Sequence, residues 1–368
     1  MASTRIKVRL VTDFGELDPL REQWNALAHR SETATVYQTF EWFAAWWLSF
    51  GGGGSLLVFL AYEADGLAGL APLCIRKRRV NGVAEDVVHF IGAENFAADY
   101  CDFLVPGERP DILVELLHAI CNERPRWTVL DLSNVPSHSR HVERTAEFFS
   151  TIGLPVISRT LCDAPACVFG TREDSKKLVN KKSLKRHYNY FVRNGILVFK
   201  HCDTEHEIRH YFDAFFEQHV RRWAKTATPS MFLSDRNRSF YRTLVGVLHP
   251  TGWLRFAVLL YNEEPLAFHL GFEYKGRFLW YKPTFNPEYS KKSPGEVLLK
   301  LLLEYAISKG LDEFDFTAGG EAFKYRFANT IRTNTRVRVY ASRRSFLIEQ
   351  LRRRLGAIKR VMLRKTPE

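Results

Sequence analysis

No stretch of this chain reaches the ~18 consecutive apolar residues of a membrane-spanning helix, so no spanning segment is expected. The opening residues Met-Ala-Ser-Thr-Arg-Ile-Lys hold no apolar h-region and run straight into a predicted strand. A secretory signal is therefore not expected, and a cytoplasmic location is. Cysteine is sparse: Cys74, Cys101, Cys121, Cys162, Cys167 and Cys202 are scattered without CxxC spacing, which fits reduced, mostly buried thiols better than a zinc or disulfide framework. His206 and His210 stand four apart on a predicted helix, below His201 and Cys202, but lack a further fixed ligand, so no metal is predicted. The run Gly51 to Gly54 lacks the Lys-Ser/Thr of a phosphate loop and precedes a strand, so it reads as a turn.

What is present is a large folded core. The 368 residues are 46% hydrophobic, with 28 Phe and 8 Trp, and a prior of ~150 residues per domain gives two domains. The net charge of +12 is local: Lys176 to Arg193 carries seven basic residues and Arg343 to Lys365 another dense set. Either run reads equally as a solvated face or as a surface for phosphates, tRNA or acidic headgroups. Strands and helices alternate along both halves. The pattern predicts an α/β (α+β) fold of two tandem modules, residues 1–165 and 166–342, each a mixed, mostly antiparallel sheet flanked by helices. Residues 343–368 form a basic amphipathic tail. Leu347, Leu351, Leu355, Ile358 and Met362 share one stripe of a predicted helix over 346–363, suited to docking on the second module or to peripheral membrane contact.

The densest information lies between Glu263 and Phe327. Pro265 to Tyr274 and Arg277 to Thr284 alternate and are joined by Lys275-Gly276, a hairpin signal. Ser293-Pro294-Gly295-Glu296 has the form of a capping box opening a helix through Val297, Leu298, Leu301, Leu302 and Tyr305 to the stop at Gly310. A strand through Phe314-Asp315-Phe316 then meets Gly319-Gly320.

This segment resembles the C-terminal half of the GNAT acyltransferase domain of cellulose- and exopolysaccharide-biosynthesis proteins, which are related to Fem-type aminoacyl transferases. The likeness rests on Glu264-Pro265-Leu266-Ala267, Asn286-Pro287-Glu288-Tyr289, Ser293-Pro294-Gly295, and Phe314-Asp315-Phe316 through Gly319-Gly320-Glu321 to Phe323-Lys324. Weaker echoes at Phe40 to Trp46, Asp99 to Asp102, Lys181 to Arg193 and His219 to Trp223 extend it over about residues 38 to 335. The resemblance implies transfer of an acyl group from acyl-CoA to an amine or hydroxyl. The implied acceptor is a small molecule or a saccharide connected with polysaccharide or envelope precursors, set between modules against Trp42, Tyr100 and Trp223. It also implies a site role for Lys324, whose counterpart lies in the catalytic channel of Fem-type relatives.

The residues themselves offer each part of such a site. The turn Lys291-Lys292-Ser293-Pro294-Gly295 opens a helix, where backbone N–H groups and the dipole favour a pyrophosphate. It keeps Gly295 of the GNAT loop pattern, with Lys292 at the Arg/Gln position and Val297 in place of the second small residue. If Glu296 folds back onto the cap, the same turn is only a helix cap. Carbonyl polarisation would come from a backbone N–H near Tyr281 to Thr284, where Pro283 interrupts the strand. For the proton, His269, Glu273, Asp315 and Glu321 are candidates, His269 on a strand face with Ala267 and Gly271, and Asp315 and Glu321 beside a glycine turn with Lys324. Two rival readings remain. One is aminoacyl transfer from aminoacyl-tRNA held by the basic helix, though no coiled-coil arm is visible. The other is a non-catalytic module that binds a polysaccharide synthase or membrane.

Overall fold

The computed structural model describes residues 5–64, 66–80, 83–95, 97–107, 109–171 and 178–352. The chain divides into two compact units. Unit 1 comprises Met1–Phe43, Phe50–Leu161 and Asn334–Glu368; unit 2 comprises Ala44–Ser49 and Cys162–Thr333.

Unit 1 is built on strands β1 (Lys7–Val11), β2 (Gly54–Glu63), β3 (Gly66–Val80), β4 (Val83–Phe90) and β5 (Val129–Pro136). The first four pair antiparallel in sequence order. Then β4 and β5 run parallel through Val87↔Val129, Val88↔Leu130 and His89↔Asp131. A parallel pair needs a crossover, supplied by helix α3 (Pro110–Asn122), whose Ile112, Leu113, Leu116, Leu117 and Ile120 are buried. Helices α1 (Arg21–Arg30), α2 (Phe40–Phe50) and α4 (His141–Thr151) complete the elements. The expected strand over 102–105 reduces to a single bridge, Leu70↔Leu104. The last strand of the chain, β12 (Thr330–Tyr340), pairs with β5 from Asn334 onward, which is why unit 2 ends at Thr333.

Unit 2 repeats the plan. After β6 (Val156–Val168) come helices α5 (Lys182–Asn194), α6 (Glu205–Trp223) and α7 (Asp235–Leu248), strands β7 (Leu197–Cys202), β8 (Leu254–Tyr261), β9 (Glu264–Tyr274) and β10 (Arg277–Phe285), helix α8 (Pro294–Ser308), strand β11 (Glu313–Asp315) and the single turn α9 (Ala322–Tyr325). Its strand order is β6-β11-β10-β9-β8-β7. The hairpin forms as the sequence implies: Lys275 and Gly276 take φ of 50° and 72°, the left-handed pair that matches strand twist. Two apolar layers cover the sheet. On one face Val297, Leu298, Leu302, Leu184 and Phe191 pack on Phe278, Trp280 and Phe314. On the other, Phe212, Phe215, Phe216, Phe232, Phe256 and Phe268 form a chain of ring contacts. Strand β6 escapes sequence reading, because Arg159, Asp163 and Pro165 break its apolar alternation.

The tail differs from its expected pattern. Helical turns cover 343–352, with Leu347 and Leu351 exposed, while Glu349 and Arg352 are buried against Arg338 and Glu85 of unit 1. The ion pairs hold the polar residues inward and turn the leucines out. Residues 353–363 of the predicted helix lie outside the described residues.

One irregularity shapes the centre of unit 2. Leu279 pairs with Phe272 and Lys282 with Leu270, so Trp280 and Tyr281 both stand opposite Gly271. A Cβ on Gly271 would overlap the His269 ring and the Leu279 carbonyl oxygen. Gly271→Ala is therefore expected to lower unfolding free energy by about 2 kcal/mol or more. Gly246→Ala on α7, where the nearest atom is the Arg209 Nη2 at 3.5 Å, should raise it by up to about 1 kcal/mol. Urea unfolding of both variants checks the pair, and equal stabilities would refute the packing argument.

Candidate active site

Strands β10 and β11 share only three parallel pairs, Arg277↔Glu313, Phe278↔Phe314 and Leu279↔Asp315. Beyond Leu279 and Asp315 they part, because β10 enters its bulge while β11 gives way to a loop. That loop is tied down at each step. The Phe316 amide donates to the Pro165 carbonyl at 3.0 Å, the Thr317 amide to the Asp315 carboxylate at 2.7 Å, and the Thr317 hydroxyl to the Trp280 carbonyl at 3.0 Å. Thr317 is buried with φ of 58°, a conformation disfavoured for a β-branched residue and sustained here by those bonds.

The predicted site residues Asp315, Glu321 and Lys324 meet at this point. The Lys324 ammonium is buried and lies 2.9 Å from Glu321 Oε2, 2.9 Å from the Ala318 carbonyl oxygen and 3.4 Å from that of Thr317. Gly319, with φ of 120°, leaves the space this ion pair occupies, and its amide donates to the Asp163 carbonyl at 2.8 Å. Tyr325 donates to the Asp163 carboxylate, fixing the turn from its other side.

His269 lies elsewhere than expected. It lines no open cleft: its exposure is 0%, its ring stacks on Trp280 at 4.6 Å and Phe278 at 5.4 Å, and its Nε2 accepts the Tyr281 amide at 3.2 Å. The imidazole thus replaces the ladder partner that the bulge denies to Tyr281. The Tyr281 N–H expected to face a thioester is consequently engaged, and the Tyr281 hydroxyl is 2.6 Å from that of Tyr241.

Helix α8 begins at Ser293, which adopts φ 56°, ψ 53° and makes no side-chain cap bond. The predicted capping box does not form. Glu296 turns away to Arg326 Nη1 at 2.6 Å and toward His187 Nε2 at 3.7 Å. The start of the helix is left without a carboxylate cap, the arrangement that suits an anion. Lys291 and Lys292 are exposed beside it, Lys292 lying 4.3 Å from the Tyr190 ring centroid. Gly295 permits the close approach of Phe285.

The three aromatics expected to face an acceptor divide. Trp42 is wholly buried in unit 1, edge-on to Tyr37 at 4.7 Å. Tyr100 is buried there too, its carbonyl accepting from Gln38 Nε2 at 2.7 Å. In unit 2, half-buried Trp223 stacks on His219 at 5.6 Å. Its neighbour Arg222 falls within the family-like stretch His219 to Trp223 but received no site role from the sequence. Arg222 donates from Nη1 to the Pro283 carbonyl at 2.9 Å and lies 4.2 Å over the Phe285 ring. The adjoining aromatic at 223 and basic residue at 221 were the available signals.

Residues 180–325 match the acetyltransferase (GNAT) domain family. The fold is that of GNAT proteins. FemX is similar in structure over 90% of this chain and 96% of its own, with a TM-score of 0.64 at 10% identity. A tandem GNAT protein from the clavulanic acid biosynthesis pathway covers 92% and 99%, with 0.51 at 11% identity. The C-terminal domain of a protein described as a lysylphosphatidylglycerol synthetase, from Agrobacterium fabrum, covers 91% and 95%, with 0.52 at 10% identity. No curated protein sequence matches the chain. The match supports an acyltransferase and ends one residue past Lys324.

Burial drives the His269 pKa down from 6.5 to about 3, and that of His219 to about 3, with Lys282 and Arg222 adding to the burial effect. Each ring takes up a proton near pH 6.5 when unfolded but stays neutral in the fold. Stability is therefore complete above that pH and falls as pH drops toward 3. Replacing His269 by Gln, which keeps an acceptor for Tyr281, should flatten the acid limb by about 1.4 kcal/mol per pH unit between pH 6 and 4. Urea midpoints across that range give the slope; an unchanged slope would exclude His269 as its source.

Proposed function

We propose that unit 2 transfers an acyl group from acyl-CoA to an amine or hydroxyl of a polysaccharide- or envelope-related, or small-molecule, acceptor. The observation that carries this reading is the parting of β10 from β11 together with the side-chain-uncapped start of α8, which follows β10 in the chain and packs Gly295 against Phe285 at its end. The donor's phosphates rest at Lys291, Lys292, Ser293 and Gly295, where dipole and ammonium charge add. The thioester then lies along the parted strands, the position ligands favour in open α/β sheets.

Acyl transfer places negative charge on the carbonyl oxygen as the nucleophile attacks, and a preset positive group lowers that barrier. With the Tyr281 amide held by His269, Lys324 is the cation we assign to this task, acting through its field, since Glu321 and the carbonyls of Thr317 and Ala318 take up its three N–H groups. Asp315 and Glu321 set its surroundings, the first by holding Thr317 and the second by pairing directly with the ammonium. Trp223 offers the acceptor a flat apolar surface.

A second reading, aminoacyl-tRNA as donor, draws on one observation. Lys182, Lys185, Arg186 and Arg193 are exposed on α5, which carries no acidic residue. Calorimetric titration with a panel of acyl-CoAs separates the two. Saturable binding that weakens about tenfold in Lys292→Glu supports the donor seat. Absence of binding to any thioester, together with co-purifying RNA and a steep loss of RNA affinity with salt, would transfer the assignment to tRNA.

A further inference from the structure

Arg222 sits on the last turn of α6 and makes no ion pair among the described residues. Among the described residues its hydrogen bond is to the Pro283 carbonyl at 2.9 Å, and its guanidinium lies 4.2 Å from the Phe285 ring and 5.9 Å from that of Trp223. Desolvating a guanidinium is costly, and a ring face returns only part of that cost. Burial accordingly lowers its pKa to about 10, and Glu321 is the acidic group whose field opposes that shift. Glu321 itself pairs with Lys324 at 2.9 Å, and among the described residues the Arg222 guanidinium hydrogen-bonds the Pro283 carbonyl and no carboxylate. Arg222 and Lys282 both depress His219, so both cations act on the same buried ring. Lys282 Nζ stands 4.1 Å from the Tyr281 ring centroid, at the bulge itself.

We infer that Arg222, assisted by Lys282, is an oxyanion clamp that selects acceptors bearing a carboxylate or phosphate group. A planar guanidinium held on one edge by a backbone carbonyl presents its remaining N–H groups as a fork, the geometry that binds two oxygens of one anion. The clamp is separate from the donor seat, which uses the start of α8 and Lys292. It rests on the acyl-transfer reading for its role, since the anion it binds belongs to the acceptor; its chemistry stands independently.

The test uses the full-length protein saturated with coenzyme A, so that the donor seat is filled, titrated with inorganic phosphate in one arm and acetate in the other. Wild-type protein should bind at least one of the two, and which one binds identifies the anion class. Arg222→Gln should weaken that binding tenfold to a hundredfold, the effect of removing a charge-assisted hydrogen bond worth about 1.5–3 kcal/mol. Arg222→Lys should retain part of it. Unaltered binding in folded Arg222→Gln, or no binding of either anion to wild type, overturns the clamp. A second measurement needs no variant: the bound anion should protect Arg222 from phenylglyoxal, read by peptide mass spectrometry, and equal modification with and without anion also overturns it. If coenzyme A itself does not bind, the titration is run without it; anion binding lost in Arg222→Gln but kept in Lys292→Glu then supports the clamp while the acyl-CoA reading falls.

Discussion

Two residues of β10 stand opposite one glycine of β9, and the centre of unit 2 is organised around that surplus. Trp280 and Tyr281 fall in the register shift between β9 and β10, and side chains meet polar groups of both. The Tyr281 amide goes to an imidazole and the Trp280 carbonyl to a threonine hydroxyl. Because Gly271 has no side chain, the His269 ring can occupy the space that makes the first of these bonds possible. The bulge also ends the register with β11, which opens the sheet where the acyl-transfer chemistry is assigned.

Electrostatics fixes the opposite wall. Lys324 holds two successive carbonyls and one carboxylate, so a single ammonium sets the path of the turn from Thr317 to Glu321. At the start of α8 the logic is reversed: Arg326 draws Glu296 away from the helix cap, leaving the dipole end free of its own carboxylate. One acidic group is kept in and the other is drawn off, and the difference separates a rigid turn from an anion seat.

Much of the fold was legible in local sequence. Lys275-Gly276 specified its hairpin because both residues must enter the left-handed region, and Pro294 with Gly310 bounded α8. The tandem GNAT architecture follows the alternation of elements, and the parallel ladders of the two units, ending at Asp131 and Asp315, repeat at the level of register where no residue-level repeat is visible. What sequence could not convey depends on distant partners. Ser293-Pro294-Gly295-Glu296 has every residue of a capping box, yet Arg326, thirty positions away, decides where Glu296 points. His269 alternates on a strand as a cleft residue would, but it is fully buried with its ring stacked on two aromatic rings. Trp42 and Tyr100 read as recognition aromatics and serve as core, since composition cannot distinguish a ring that packs from one that binds. Arg222 was hidden for a similar reason: its significance lies in the carboxylate that is not beside it.

The division of the chain between its units has a bearing on biosynthesis. Asp131 of β5 and its ion partner Arg336 of β12 are 205 positions apart, with nearly all of unit 2 between them. On the ribosome, β5 emerges long before the strand that completes its sheet, while unit 2 is close to one continuous stretch of polypeptide. The first unit to begin translation is thus the last able to finish folding, and its unpaired β5 edge must wait, exposed, through the synthesis of its neighbour.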